Sequence, residues 1–119
     1  MSAIKLPLAL ALLALPLVGV AGEETGEQLY AVYCTQCHGI NGDGRGVNAA
    51  SMDVLPRAHV DPVEMGARQD EDLFKVIKEG GKSINKSVLM PAWDANLDDE
   101  QITKLVRYLR ALCECGDQP

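Results

Sequence analysis

Apolar residues fall in two different patterns along the chain. Residues 6–20 form an almost unbroken apolar run behind a short, weakly positive start that holds Lys5. Gly19, Val20, Ala21 and Gly22 close the run with small side chains, and Glu23 and Glu24 open a polar region. This order is that of a secretory signal peptide, so residues 1–21 are expected to be a leader cut after Ala21 and residues 22–119 the mature domain. The competing reading is a retained membrane anchor. Against it, the run of about fifteen residues is shorter than the ~20 a spanning helix needs, and Pro7 and Pro16 interrupt it.

Beyond residue 22 the apolar positions take on helical spacing. A first helix is expected over residues 25–34, with Thr25 as N-cap and Leu29, Tyr30, Val32 and Tyr33 as packing residues. A second is expected over residues 70–79: Asp70, Glu71 and Asp72 favour its positive end, Leu73, Phe74 and Ile77 share a face, and Gly80-Gly81 stops it. A third is expected over residues 98–112, opened by Asp98 and Gln101 as a capping box and carrying Ile102, Leu105, Val106, Leu109 and Leu112 at the spacing of a buried stripe. The segment Gly39-Ile40-Asn41-Gly42-Asp43-Gly44-Arg45-Gly46 has four glycines in eight positions and is expected to turn or wrap around something. No useful strand alternation and no internal repeat occur, which predicts an all-α domain.

Composition narrows the function. The chain carries 11 basic and 17 acidic residues, a formal charge of −6. Loss of the leader removes Lys5, leaving ten basic residues against seventeen acids and a charge of −7. Nucleic-acid binding is disfavoured, because phosphate contacts need a basic face, and adhesion to anionic lipid is disfavoured for the same reason. One Phe, one Trp and three Tyr give little aromatic mass for a core. A small domain buries only a modest share of its surface, and a large apolar prosthetic group would relieve that shortage.

Cys34-Thr35-Gln36-Cys37-His38 supplies the chemistry. Two thiols one helical turn apart suit thioether bonds to the two vinyl groups of one haem, and a His directly after the second Cys suits the proximal iron ligand. Three other readings compete. A redox dithiol needs a βαβ context that no strand provides here. A zinc site of Cys34, Cys37, Cys113 and Cys115 leaves His38 and the glycine-rich segment without a role. A structural disulfide between Cys34 and Cys37 is the plainest of the three.

The sixth ligand separates a carrier from a catalyst. A His/Met pair leaves little to reorganise on electron transfer, whereas an open position invites small-molecule binding or peroxide chemistry. The mature candidates are Met52, Met65 and Met90. Met90 is expected to be the ligand, because Pro91 stiffens its backbone in an irregular segment over residues 85–96; the competing role for any Met is that of a flexible core filler. His59, beside Pro56, Arg57 and Pro62 in what reads as an exposed loop, is a minor alternative that would make a bis-His site.

With these residues in place the chain resembles the class I cytochrome c family, most closely the small bacterial monohaem c551/c552-type carriers and the haem-subunit domain of cbb3-type oxidases. The resemblance covers residues 26–112. It rests on Gly26 and Tyr30, the Cys34–Gly39 motif, Gly42-Asp43-Gly44-Arg45-Gly46, residues 73–80, Met90-Pro91-Ala92-Trp93 and residues 97–109. It implies an all-α class I cytochrome c fold, three main helices wrapped around one covalently bound haem c. Cys34 and Cys37 would hold the haem, and His38 and Met90 would be the axial ligands. Trp93 would lie near a haem edge, with ordinary core packing as its alternative. Gly26 and Tyr30 would pack where the first helix crosses the last, near Tyr108. The implied function is a periplasmic electron-transfer protein rather than an enzyme, passing single electrons between a donor and a terminal reductase or oxidase. The alternative is a haem enzyme or ligand sensor with an open sixth position.

Cys113 and Cys115 depart from that family pattern. In an oxidising compartment they are expected to form a local bridge, to join two chains, or to bind a metal with outside ligands, so a monomer is expected with a dimer as the alternative. Lys75, Lys78, Lys82 and Lys86, with Arg68 nearby, read as the solvated face of the second helix or as a partner-docking group.

Overall fold

The computed structural model describes Met1 and residues 22–116. Apart from Met1, the leader expected over residues 1–21 lies outside the described residues, as do the last three positions. The described chain is helical and holds no strand: α1 (Gly26–Tyr33), α2 (Thr35–His38), α3 (Pro62–Gly66), α4 (Asp70–Glu79) and α5 (Asp99–Cys113), with 3-10 turns at Ala49–Ser51 and Gly81–Ile84.

The three expected helices are α1, α4 and α5. Both predicted caps form. Thr25 Oγ1 accepts from the Gln28 N–H at 3.2 Å while Gln28 Oε1 accepts from the Thr25 N–H at 2.9 Å. Asp98 and Gln101 make the same reciprocal pair at 2.8 and 3.0 Å, so each helix start satisfies two otherwise orphaned donors. Helix α1 stops one residue earlier than expected, and Cys34 (φ −116°, ψ −34°) caps its end and the start of α2. Helix α3 was not expected. Asp61 caps it by accepting from the Val63 and Glu64 N–H groups, and Pro62 occupies its first position, where a missing N–H is harmless.

Helix α5 is the spine against which α1, α3 and α4 pack. Its stripe of Ile102, Leu105, Val106 and Leu109 is buried with Leu29 and Tyr30 of α1, Met65 of α3, Leu73 and Ile77 of α4, and Leu97. Leu112 and Phe74, expected on buried faces, are half-buried at the edge of this cluster. The α1–α5 crossing depends on Gly26. A Cβ there would overlap the Lys104 carbonyl oxygen and sit 2.9 Å from Tyr108 Cβ. Tyr30 and Tyr108 meet at the same crossing with ring centroids 5.2 Å apart. Gly26→Ala is therefore expected to force the helices apart and to cost about 1–3 kcal/mol, read as a lowered urea midpoint at unchanged slope.

The end of α5 holds two features. Arg110 is buried, its guanidinium donating to Asp70 Oδ1 (2.7 Å), the Met65 carbonyl (2.7 Å) and the Arg68 carbonyl (2.6 Å). Cys113 and Cys115 form a disulfide within the chain. Of the fates open to these two thiols, the structure takes the local bridge.

Candidate functional site

The site is built where α1 gives way to α2. The Cys34 carbonyl accepts from both the Cys37 N–H (3.2 Å) and the His38 N–H (2.9 Å), which fixes the two cysteines and the histidine in one compact turn. Cys34 and Cys37 are both free thiols and half-buried. Burial pushes the Cys34 thiol up to about 12, with the neighbouring Cys37 adding to the effect. A redox dithiol needs a depressed thiol, so this microenvironment argues against that reading. The zinc reading also lacks support: Cys113 and Cys115 are bridged to each other, and no group of three potential ligands assembles among the described residues.

The glycine-rich segment folds back over α2. Gly44, Gly46 and Asn48 N–H groups donate to the carbonyls of His38 (2.8 Å), Cys37 (3.0 Å) and Gln36 (2.9 Å), satisfying acceptors that the short helix leaves open. Gly46 lies so close to the helix that a Cβ would overlap the carbonyl oxygens of Gln36 and Thr35. The segment thus acts as a clamp on the Cys-His turn.

His38 is oriented by the chain beyond that clamp. Its Nδ1 lies 2.9 Å from the Arg57 carbonyl oxygen. A carbonyl only accepts, so Nδ1 carries the proton and Nε2 keeps its lone pair. Burial, the largest influence, lowers the pKa of this ring; the Arg57 carbonyl opposes the shift and the Arg57 charge reinforces it. A neutral imidazole tied at one nitrogen and free at the other is the arrangement of an oriented metal ligand.

His59 corrects the expectation of an exposed loop. It is buried, because its own N–H (2.6 Å) and that of Val60 (3.2 Å) donate to the Gly42 carbonyl and draw residues 57–60 under the clamp. Its Nδ1 is 3.0 Å from the Tyr30 hydroxyl, and its ring stacks on His38 with centroids 4.0 Å apart and planes at 19°. Burial first, then the neighbouring His38 and Arg57, hold its pKa well below the usual histidine range. Two imidazoles that bind one iron from opposite sides meet end to end. The face-to-face stack is incompatible with His59 taking the position opposite His38.

The three methionines have distinct environments. Met65 is fully buried in the hydrophobic cluster and is a core filler. Met52 is half-buried just after the first 3-10 turn. Met90 is half-buried and packs against the core, as Tyr33, Cys34, Phe74 and Trp93 do. Its segment is strapped to the end of α4: the Gly81 N–H donates to the Met90 carbonyl (2.9 Å) and the Trp93 N–H to the Ile77 carbonyl (3.0 Å). Trp93 stacks edge-on against Tyr33 at 5.2 Å. Nearby in sequence, Val88 and Leu89 are exposed, as are Val54 and Leu55. The cysteine turn supplies two free thiols and an imidazole whose Nδ1 is already engaged, a sulfur–nitrogen set whose chemistry fits a covalently held haem.

The lysine group is only partly available to a partner. Lys78 pairs with Asp99 at 2.6 Å and sits 5.6 Å from the Phe74 ring centroid, so it braces α4 against the start of α5. Sequence reading missed the Arg57 carbonyl, the burial of His59 and the Tyr30 hydroxyl contact. The first and last depend on the chain closing across 19 and 29 residues and the burial of His59 on its contact with Gly42, for all of which local spacing gives no signal.

Comparisons with known proteins agree with this architecture. The family model described as "Cytochrome C oxidase, cbb3-type, subunit III" matches residues 21–109. No curated protein sequence matches the chain. Among solved structures the chain is similar to the KustC0563 c-type cytochrome, with a TM-score of 0.61 and 24% identity over 75% of this chain and 98% of that one. It is also similar to a chain of the Kuenenia stuttgartiensis reducing HAO-like protein complex Kustc0457/Kustc0458, with a TM-score of 0.63 and 29% identity over 82% of this chain. It spans 47% of that second chain, just under half its length. The helical fold is that of a c-type cytochrome.

Proposed function

The chain belongs to the cbb3-type cytochrome c oxidase subunit III family of cytochrome c domains, and from that membership we propose that it is a periplasmic monohaem carrier of single electrons. Membership implies covalently bound haem c and haem-based electron transfer. In the proposed site Cys34 and Cys37 would hold the haem through thioether bonds, and His38 Nε2 and the Met90 thioether would ligate its iron. Trp93 and Tyr33 would contribute an apolar rim. The haem, once bound, supplies a one-electron couple between ferric and ferrous iron. The protein's own part is to keep His38 in one tautomer through Arg57, to hold Met90 on a stiff strap, and to exclude water with the apolar rim.

The observation that carries this reading is the His38–Arg57 contact, which supports a proton on Nδ1 and a lone pair on Nε2 available to a metal. The leader pattern at residues 1–21 supports a periplasmic location, where covalent haem attachment also takes place. No described helix is long and apolar enough to cross a membrane. Its partners are proposed to be redox proteins, a donor and a terminal reductase or oxidase; one structural neighbour belongs to a multi-protein complex. The net negative charge favours encounter with protein partners over nucleic acid. With Cys113 and Cys115 bridged within the chain, the carrier is proposed to be a monomer.

That same neighbour, part of an HAO-like complex, favours a second reading in which the haem has an open sixth position and binds or transforms a small molecule. Carbon monoxide separates the two. The carrier reading predicts that the native ferrous protein binds carbon monoxide slowly or not at all; rapid, stoichiometric binding by the native protein would replace it with the second reading.

A further inference from the structure

We propose that His59 is a positioning residue for His38, its ring fixing the plane in which His38 presents Nε2. This deepens the proposed function and rests on His38 being the proximal ligand. An imidazole bound to iron through one nitrogen is free to turn about that bond unless its surroundings stop it. The hydrogen bond from His38 Nδ1 to the Arg57 carbonyl (2.9 Å) sets the tautomer and the general direction of the ring, but hydrogen bonds at a carbonyl oxygen accept a broad range of angles. The face of His59, stacked 4.0 Å from His38 with the two planes at 19°, removes the remaining freedom. Any sizeable turn would drive an edge of His38 into that face.

His59 can act as a wall because it is itself held from two sides. Its backbone N–H donates to the Gly42 carbonyl (2.6 Å), and its Nδ1 bonds the Tyr30 hydroxyl (3.0 Å). Tyr30 is buried, lies edge-on to His59 with centroids 5.7 Å apart, and packs on Tyr108 at the α1–α5 crossing. The ligand plane is thereby tied to the crossing of α1 and α5. A buried polar ring is costly unless it is hydrogen-bonded. An aliphatic residue would fill this space without needing the Tyr30 hydroxyl, and it would present no flat face to His38.

The test uses the haem-loaded protein and two variants, His59→Ala and Tyr30→Phe. The first removes the wall; the second removes only the hydroxyl that pins it. The readout is the paramagnetic proton NMR spectrum of the ferric protein, because the order and spread of the four haem methyl signals follow the orientation of the axial ligands. Both variants are expected to change that order or spread while covalent haem content stays at the wild-type level. Val106→Ala, a core change outside the hydrogen-bonded and stacked set of His38, Arg57, His59 and Tyr30, serves as a control for general destabilisation and is expected to leave the methyl pattern unchanged. An unchanged pattern in either His59→Ala or Tyr30→Phe, or an equal change in Val106→Ala, would overturn the proposal. Absence of covalent haem from the wild type would instead overturn the proposed function on which it rests.

Discussion

The Cys34→Ser/Cys37→Ser double variant is expected to retain no haem through denaturation, while the wild type keeps all of it. A serine hydroxyl does not form the thioether that ties the prosthetic group to the chain, and a haem held by axial ligands alone leaves once the chain unfolds. The loss should extend to stability. The rim of Tyr33, Phe74, Met90 and Trp93 is only half-buried by protein, and Val54, Leu55, Val88 and Leu89 are exposed. A group that binds only the folded chain stabilises it by mass action, and a covalent attachment makes that contribution permanent. Haem-linked peroxidase staining of a denaturing gel, followed by thermal unfolding of the same samples, checks both points. Haem that stays with the serine chain after denaturation would refute the attachment assignment.

Arg110→Met is expected to produce the largest loss of stability among changes away from the cysteine turn, about 3 kcal/mol or more. The guanidinium is buried and joins three elements at once, through Asp70 at the start of α4, Met65 in α3 and the Arg68 carbonyl between them. Methionine keeps much of the volume but removes the charged donor that Asp70 and the Met65 and Arg68 carbonyls share. Domains of this size are stable by roughly 5–15 kcal/mol, so such a change consumes a large share of the total. Chemical denaturation with the haem spectrum and helix content followed together is the measurement. A midpoint within experimental error of wild type would show that Arg110 is not the tie between α3, α4 and α5.

Local chemistry was legible in the sequence, and long-range closure was not. The caps at Thr25 and Asp98, the stop at Gly80-Gly81 and the stripe on α5 rest on neighbours within one or two turns, and each formed close to its expected place. Helix α3 was missed even though its Asp61-Pro62 start is a recognisable signal, because the helix is only five residues long and no apolar period has room to develop. Met65 reads from sequence as one of three candidate ligands, with core filler as its alternative, and the fold buries it fully in the core. Arg110 was also missed. An arginine between Leu109 and Ala111 has the look of a solvent-facing position, and only the return of α3 and α4 to the same end of α5 buries it. His59 shows the same limit. Its Pro-rich neighbourhood suggests exposure, but the Gly42 carbonyl draws its backbone inward from 17 residues away. The Cys34–His38 motif points to what would be attached; the Arg57 carbonyl bonds the histidine, and the ring of His59, bonded to the Tyr30 hydroxyl, stacks on it.

The electronic spectrum of the ferric wild-type protein, set beside that of Met90→Ala, tests the central claim most directly. A six-coordinate low-spin wild type with a methionine–iron charge-transfer band, lost in Met90→Ala as the sixth position opens to carbon monoxide in the ferrous state, is the predicted result. A five-coordinate high-spin wild type, or a charge-transfer band that survives in Met90→Ala, would contradict the account of this chain as a His38/Met90 electron carrier.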